Sequence, residues 1–114
     1  MTTINGPKRG DLEPDLVVDL VAAPTTVDLT LVGSWRILGR LRGQTALVMD
    51  ATPTSVAVDP VNKYKAAVTH QWTTPETAVA GLMLVELEAT WPDGHKQTFP
   101  TTGYIQIRIS NDLG

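Results

Sequence analysis

No cysteine occurs anywhere in the 114 residues. A disulfide framework and a thiolate metal site are both excluded, and the chain makes no statement about redox compartment. Imidazoles are scarce as well: His70 and His95 are the only two, and a hydrolytic or metal site would have to recruit them. No apolar run approaches the ~20 residues a membrane helix needs, so no membrane partner is expected. Met1 to Gly10 lacks the apolar core of a secretory signal peptide, and the reading expects a protein made and folded in a cytoplasm. An excess of one charge is missing too. The net charge is −3 with both signs interspersed, which argues against a general nucleic-acid binder.

What is present is alternation. In the segment from Gly81, residues Met83, Val85, Leu87, Ala89 and Trp91 share one parity, and Glu86, Glu88 and Thr90 take the other. A period of two marks a strand with one buried and one wet face. The run stops at Pro92-Asp93-Gly94, where Pro presets φ and Gly accepts the positive φ of a tight reversal. Lys96 to Phe99 follows, then the breaker Pro100 to Gly103, then a second alternating run with Ile105, Ile107 and Ile109 on one face.

The same punctuation recurs upstream. Leu16, Val18 and Leu20 alternate with Val17, Asp19 and Val21, and Val27, Leu29 and Leu31 alternate with Asp28, Thr30 and Val32. Trp35, Ile37 and Leu41 oppose Arg36, Leu38, Arg40 and Arg42, with Gly39 read as a bulge. Thr45 to Met49, a short strand holding Val56 and Val58, and a run from Tyr64 to Trp72 complete the set. About seven to nine short strands with Pro and Gly between them read as an all-β antiparallel sandwich. A chain of this length is one domain and buries roughly 65% of its unfolded surface, enough for a core without staples. Residues 1–14, polar and carrying Gly6, Pro7, Gly10 and Pro14, read as an extended N-terminal arm, and residues 15–114 as the sandwich domain.

The candidate chemistry is thin. His95 sits in the Asp93-Gly94-His95 turn and reads as a solvated turn residue. His70 shares the inward parity of Trp72 and reads as a core histidine satisfied by backbone. Ser34, Ser55 and Ser110 lack a nucleophile elbow, and no Gly-rich phosphate cradle is present. Catalytic residues, cofactor and metal are accordingly each expected to be none. Trp72 and Trp91 read as core anchors with Ile105 and Ile107, while Trp35 reads as a rim or interface position. Arg36, Arg40 and Arg42 form either a solvated face or a docking surface for an acidic partner. Asp11, Glu13, Asp15 and Asp19 cluster at the arm, and an acidic arm with a basic face suits head-to-tail packing between copies.

Taken in order, Gly10-Asp11 and Pro14, Val27-Asp28-Leu29-Thr30, Thr69-His70-Gln71-Trp72, Pro75-Glu76-Thr77 with Gly81, Trp91-Pro92-Asp93-Gly94, Thr98-Phe99-Pro100 and Tyr104 to Ile109 carry a resemblance. The chain resembles the N-terminal domain of phage baseplate upper proteins over about residues 10 to 110. That resemblance implies an immunoglobulin-like sandwich without catalysis, built into a tail tip or baseplate and held by neighbouring virion proteins and copies of itself. With no distal module after Gly114, a head–tail neck or capsid decoration subunit stands beside the tail-tip role. Virion localisation, with assembly in a host cytoplasm, follows as an expectation. Two other classes remain open: a carbohydrate-binding sandwich with Trp35 or Trp91 as a stacking platform, and a small enzyme using His70 or His95.

Overall fold

Met83, Val85, Leu87 and Ala89 are fully excluded from solvent, and the strand that carries them organises the molecule. The structure is a computed structural model that describes residues 3–100 and 103–111. Among these residues the strands are β1 (Thr3–Lys8), β2 (Leu16–Val21), β3 (Ser34–Leu41), β4 (Met49–Ala51) and β5 (Ser55–Val58), followed by β6 (Lys65–His70), β7 (Gly81–Thr90), β8 (Lys96–Phe99) and β9 (Ile105–Ser110). They form two sheets. The larger runs β1-β9-β7-β3-β4, and the smaller runs β2-β6-β5. One flank of β7 is shared: β9 pairs with Gly81–Val85 and β8 with Leu87–Thr90. The other flank carries β3 along its full length.

The result is an all-β sandwich. Leu16, Val18 and Leu20 of β2 and Ala66 and Val68 of β6 close one core with the inward residues of β7 and β9. Each fully buried Val, Leu or Ile contributes about 1.5–3 kcal/mol, and these alternating rows are what hold the sheets together. The β2-β6-β5 and β3-β7-β9 orders are those of strands B-E-D and C-F-G in an immunoglobulin sandwich. At the β7–β8 turn Gly94 has φ +94°, and its N–H donates to the Trp91 carbonyl at 2.9 Å, as the Pro-Asp-Gly sequence requires.

Four local expectations are corrected. Thr3–Lys8 lies within the stretch read as an arm, yet it is an edge strand paired parallel to β9 through Thr3↔Gln106, Ile4↔Ile107 and Asn5↔Arg108. The sheet is therefore mixed rather than purely antiparallel. The alternating stretch Val27–Val32 is no strand. The Asp28 carboxylate accepts the Thr30 N–H at 3.0 Å and draws the chain into a 3-10 turn at Leu29–Leu31. Leu29 is buried there and Leu31 is left 63% exposed. The strand expected over Thr45–Met49 starts only at Met49.

Gly39 is the fourth correction. The β3–β7 register runs unbroken from Ser34↔Thr90 to Leu41↔Met83, so there is no bulge. A Cβ at position 39 would meet the Met83 sulfur at 3.1 Å and the Met49 Cβ at 3.2 Å. The glycine is there to admit two methionines.

Candidate interaction surfaces and the buried histidine

Of the three arginines on β3 and its extension, two are already engaged. The Arg36 guanidinium holds Asp50 with two bonds, Nε to Oδ1 at 2.7 Å and Nη2 to Oδ2 at 2.6 Å. The hydrogen bond from Arg36 keeps the Asp50 carboxyl below the usual carboxylate range and raises Arg36 in turn. Arg40 donates from Nη1 to the Gln44 carbonyl at 2.9 Å and from Nη2 to the Tyr104 hydroxyl at 3.4 Å, with its guanidinium carbon 5.3 Å from the Tyr104 ring centre. Arg42 lies past the end of β3 and is exposed. Across the β3–β7 ladder, Arg36 faces Glu88 and Leu38 faces Glu86. The outer face of the large sheet therefore carries both signs side by side rather than a basic patch.

The acidic side chains sit elsewhere. Asp11 and Glu13 are exposed in the loop between β1 and β2, and Asp19 projects outward from β2. Trp35 is half-buried on the inward parity of β3, and its ring lies 6.4 Å from that of Phe99. It packs at the margin of the core, partly open to solvent.

The core anchors differ among themselves. Trp72 and Ile107 are buried. Ile105 and Trp91 are half-buried and pack at the margin of the core. Trp91 stacks on His95, with ring centres 4.6 Å apart and planes 9° from parallel. His95 is exposed as expected of a turn residue, but Asp93 fixes it twice, accepting from its N–H at 3.1 Å and pairing with its Nδ1. The backbone N–H of His95 is the main cause holding the Asp93 carboxyl below its ordinary range. This stacked pair borders a cleft of ≈ 390 Å³ with Pro24, Val27, Leu31 and Lys96 on its other walls.

His70 is buried, as its parity required, but its partner is a carboxylate and not backbone. Its Nε2 lies 2.8 Å from Glu76 Oε1, and both side chains are almost fully shielded. Glu76 also accepts the Thr73 N–H at 2.8 Å at the head of a 3-10 turn, Thr74–Thr77. Thr73-Thr74-Pro75-Glu76 is a capping-box spelling, so the sequence did hold a signal for a carboxylate turned back on its own chain. The ring of Trp72 meets that of His70 edge-on at 5.8 Å. The pair ties the end of β6 to the crossover that leads into β7.

Three further facts bound the chemistry. Among the described residues, no group of three or more His, Cys, Asp or Glu could hold a metal ion. No helix among them is long and apolar enough to cross a membrane. A groove of ≈ 230 Å³ runs beside β2, between Val18, Leu20 and Val21 on one side and Leu87, Phe99, Pro100 and Ile105 on the other. No family model, no curated protein and no solved structure matches the chain.

Proposed function

We propose that the domain is a non-enzymatic structural subunit of a phage virion, a tail-tip or baseplate component that acts by packing against neighbouring proteins. The observation that carries this reading is the sandwich with its B-E-D and C-F-G strand order. It is the architecture implied by the resemblance to baseplate upper protein N-terminal domains. The ionisable groups near both histidines support it: Glu76 and Asp93 fix a crossover and a hairpin. Interrupting the reading frame in the phage that encodes it should leave capsids without complete, infectious tails, rescued by the wild-type chain and by His95→Ala. Normal particles without the chain would contradict the proposal.

One observation favours a second reading. The Trp91–His95 stack beside a polar-rimmed cleft is a surface on which a sugar ring would sit, making the domain a carbohydrate-binding module. Titration of candidate glycans against Trp fluorescence separates the two. Saturable quenching that His95→Ala abolishes supports the glycan reading, and a flat titration supports the structural one.

A further inference from the structure

β2 stands at the end of the smaller sheet, with β6 on one side and no strand among the described residues on the other. An immunoglobulin sandwich of the ABED type sets a further strand beside B, but here the first strand, β1, has joined the larger sheet next to β9. The consequence is an open edge six residues long. Natural edge strands are blunted by proline, lysine, a bulge or extreme shortness. Leu-Val-Val-Asp-Leu-Val carries no proline, lysine or bulge and a single charge, Asp19, and its pairing with β6 is unbroken from Leu16↔His70 to Val21↔Lys65.

The hydrogen-bond phase of that edge follows from one contact. The Ala22 N–H donates to the Tyr64 carbonyl at 2.7 Å, in the same register that pairs Leu20 with Ala66. Bonded positions alternate along an antiparallel pair, so Leu16, Val18 and Leu20 spend their backbone groups on β6. Val17, Asp19 and Val21 turn their N–H and C=O groups to the open side. Their side chains face outward as well, with Val17 53% and Val21 62% exposed. Beneath the edge, Phe99, Pro100 and Ile105 line the groove.

We propose that this edge is closed by a second copy of the chain, β2 pairing antiparallel with the partner's β2 about a two-fold axis at Val18. The phase admits few registers. Centring on Asp19 sets the two Asp19 carboxylates opposite each other, which destabilises a cross-strand pair. Centring on Val18 sets Val17 against the partner's Asp19, and Asp15 against the partner's Val21. Lys65 stands on β6 opposite Val21, on the same outer face. Each Asp15 thus comes within a lysine's reach of the partner's Lys65, twice by symmetry. The two small sheets become one continuous sheet, and the two grooves are brought together under the join. This inference stands on the open edge and the charges flanking it, and does not depend on the domain belonging to a particle.

Sedimentation of the full chain from about 1 to about 500 µM tests it by mass action. The expected result is a shift from 12.3 kDa to twice that mass. Val17→Pro removes an N–H that faces only the open side, a place where an edge strand tolerates proline, and should abolish the dimer while leaving the fold intact. Asp15→Lys should weaken the dimer about tenfold, and adding Lys65→Asp should restore it. If Val17→Pro does not fold, amide exchange of the wild type replaces it: Val17, Asp19 and Val21 should be protected at high concentration only. A chain that stays monomeric throughout overturns the proposal. So does a dimer indifferent to the charge exchange whose Val17, Asp19 and Val21 amides exchange freely, whatever other protein that edge then binds.

Discussion

His70 Nε2 and Glu76 Oε1 meet at 2.8 Å in a part of the molecule where both side chains are shielded from water. Their separation in sequence is six residues, and they join a strand end to the turn that follows it. A buried polar group left without its partner bears its full desolvation cost, so the pair matters more for what its loss exposes than for its own net strength. Glu76→Ala should lower unfolding stability by about 3 kcal/mol, since it strands both the His70 ring and the Thr73 N–H. Glu76→Gln keeps an uncharged oxygen at the position of Oε1, which meets both His70 Nε2 and the Thr73 N–H, and should cost only about 1 kcal/mol. Denaturant titrations of the two variants against the wild type give the comparison.

The Gly94 turn provides an independent check on the hairpin. With φ at +94°, a β-branched side chain is strained whatever space surrounds it. Gly94→Val should destabilise the domain by about 1 kcal/mol or more, read from the thermal midpoint.

Gly39 tests packing rather than backbone strain. Its φ is ordinary, and the obstacle is the pair Met49 and Met83 at 3.1–3.2 Å from a built Cβ. Gly39→Val should cost about 1–3 kcal/mol through overpacking, and Met83→Ala introduced with it should recover part of that loss.

The Arg36–Asp50 pair predicts a pH dependence of definite sign. Asp50 is held below the ordinary carboxylate range by its hydrogen bonds from Arg36. A carboxyl with a depressed folded pKa contributes stability that is present above its unfolded pKa, about 3.9, and is lost as pH falls through the folded value. Arg36→Gln should therefore raise the Asp50 titration midpoint, followed by NMR. The stability gap between this variant and the wild type should close in acid. Because both groups are exposed, added salt should narrow the gap too.

Removing residues 1–9 separates the observed strand from the expected arm. Thr3–Lys8 pairs with β9, and Pro7 within it is buried. The truncated chain should melt at a lower temperature than the whole one, with faster exchange of the β9 amides. An unchanged melting curve would mean that β1 adds nothing to the sheet.

Much of this fold was legible because alternation is a local signal. Met83 to Ala89, Leu16 to Leu20 and Ala66 to His70 each announce their inward face within one strand, and Pro-Asp-Gly announces its turn. The misreadings share a cause. Val27 to Val32 alternates as well as any strand, but the short Asp28 side chain competes locally for the backbone and wins. The β1 segment is polar and broken by Gly6 and Pro7, and only its pairing with β9, about a hundred residues away, makes it a strand. Whether the arginines form a solvated face or a docking surface is open in the sequence, because Asp50, Glu88 and Tyr104 come from other strands or loops and their placement beside Arg36 and Arg40 depends on the fold. Glu76 could have been found from Thr73-Thr74-Pro75-Glu76, but its reach to His70 depends on how the turn folds back.

The proposed role makes this sandwich a building block of a particle. Cryo-electron microscopy of virions purified from a phage whose genome is found to carry the coding sequence, with mass spectrometry of their proteins, tests it most directly. The expected result is the chain present in symmetric copy number, its two sheets fitting density at the tail tip. Virions that carry tails and contain none of it, while the surrounding lysate does, would contradict the account.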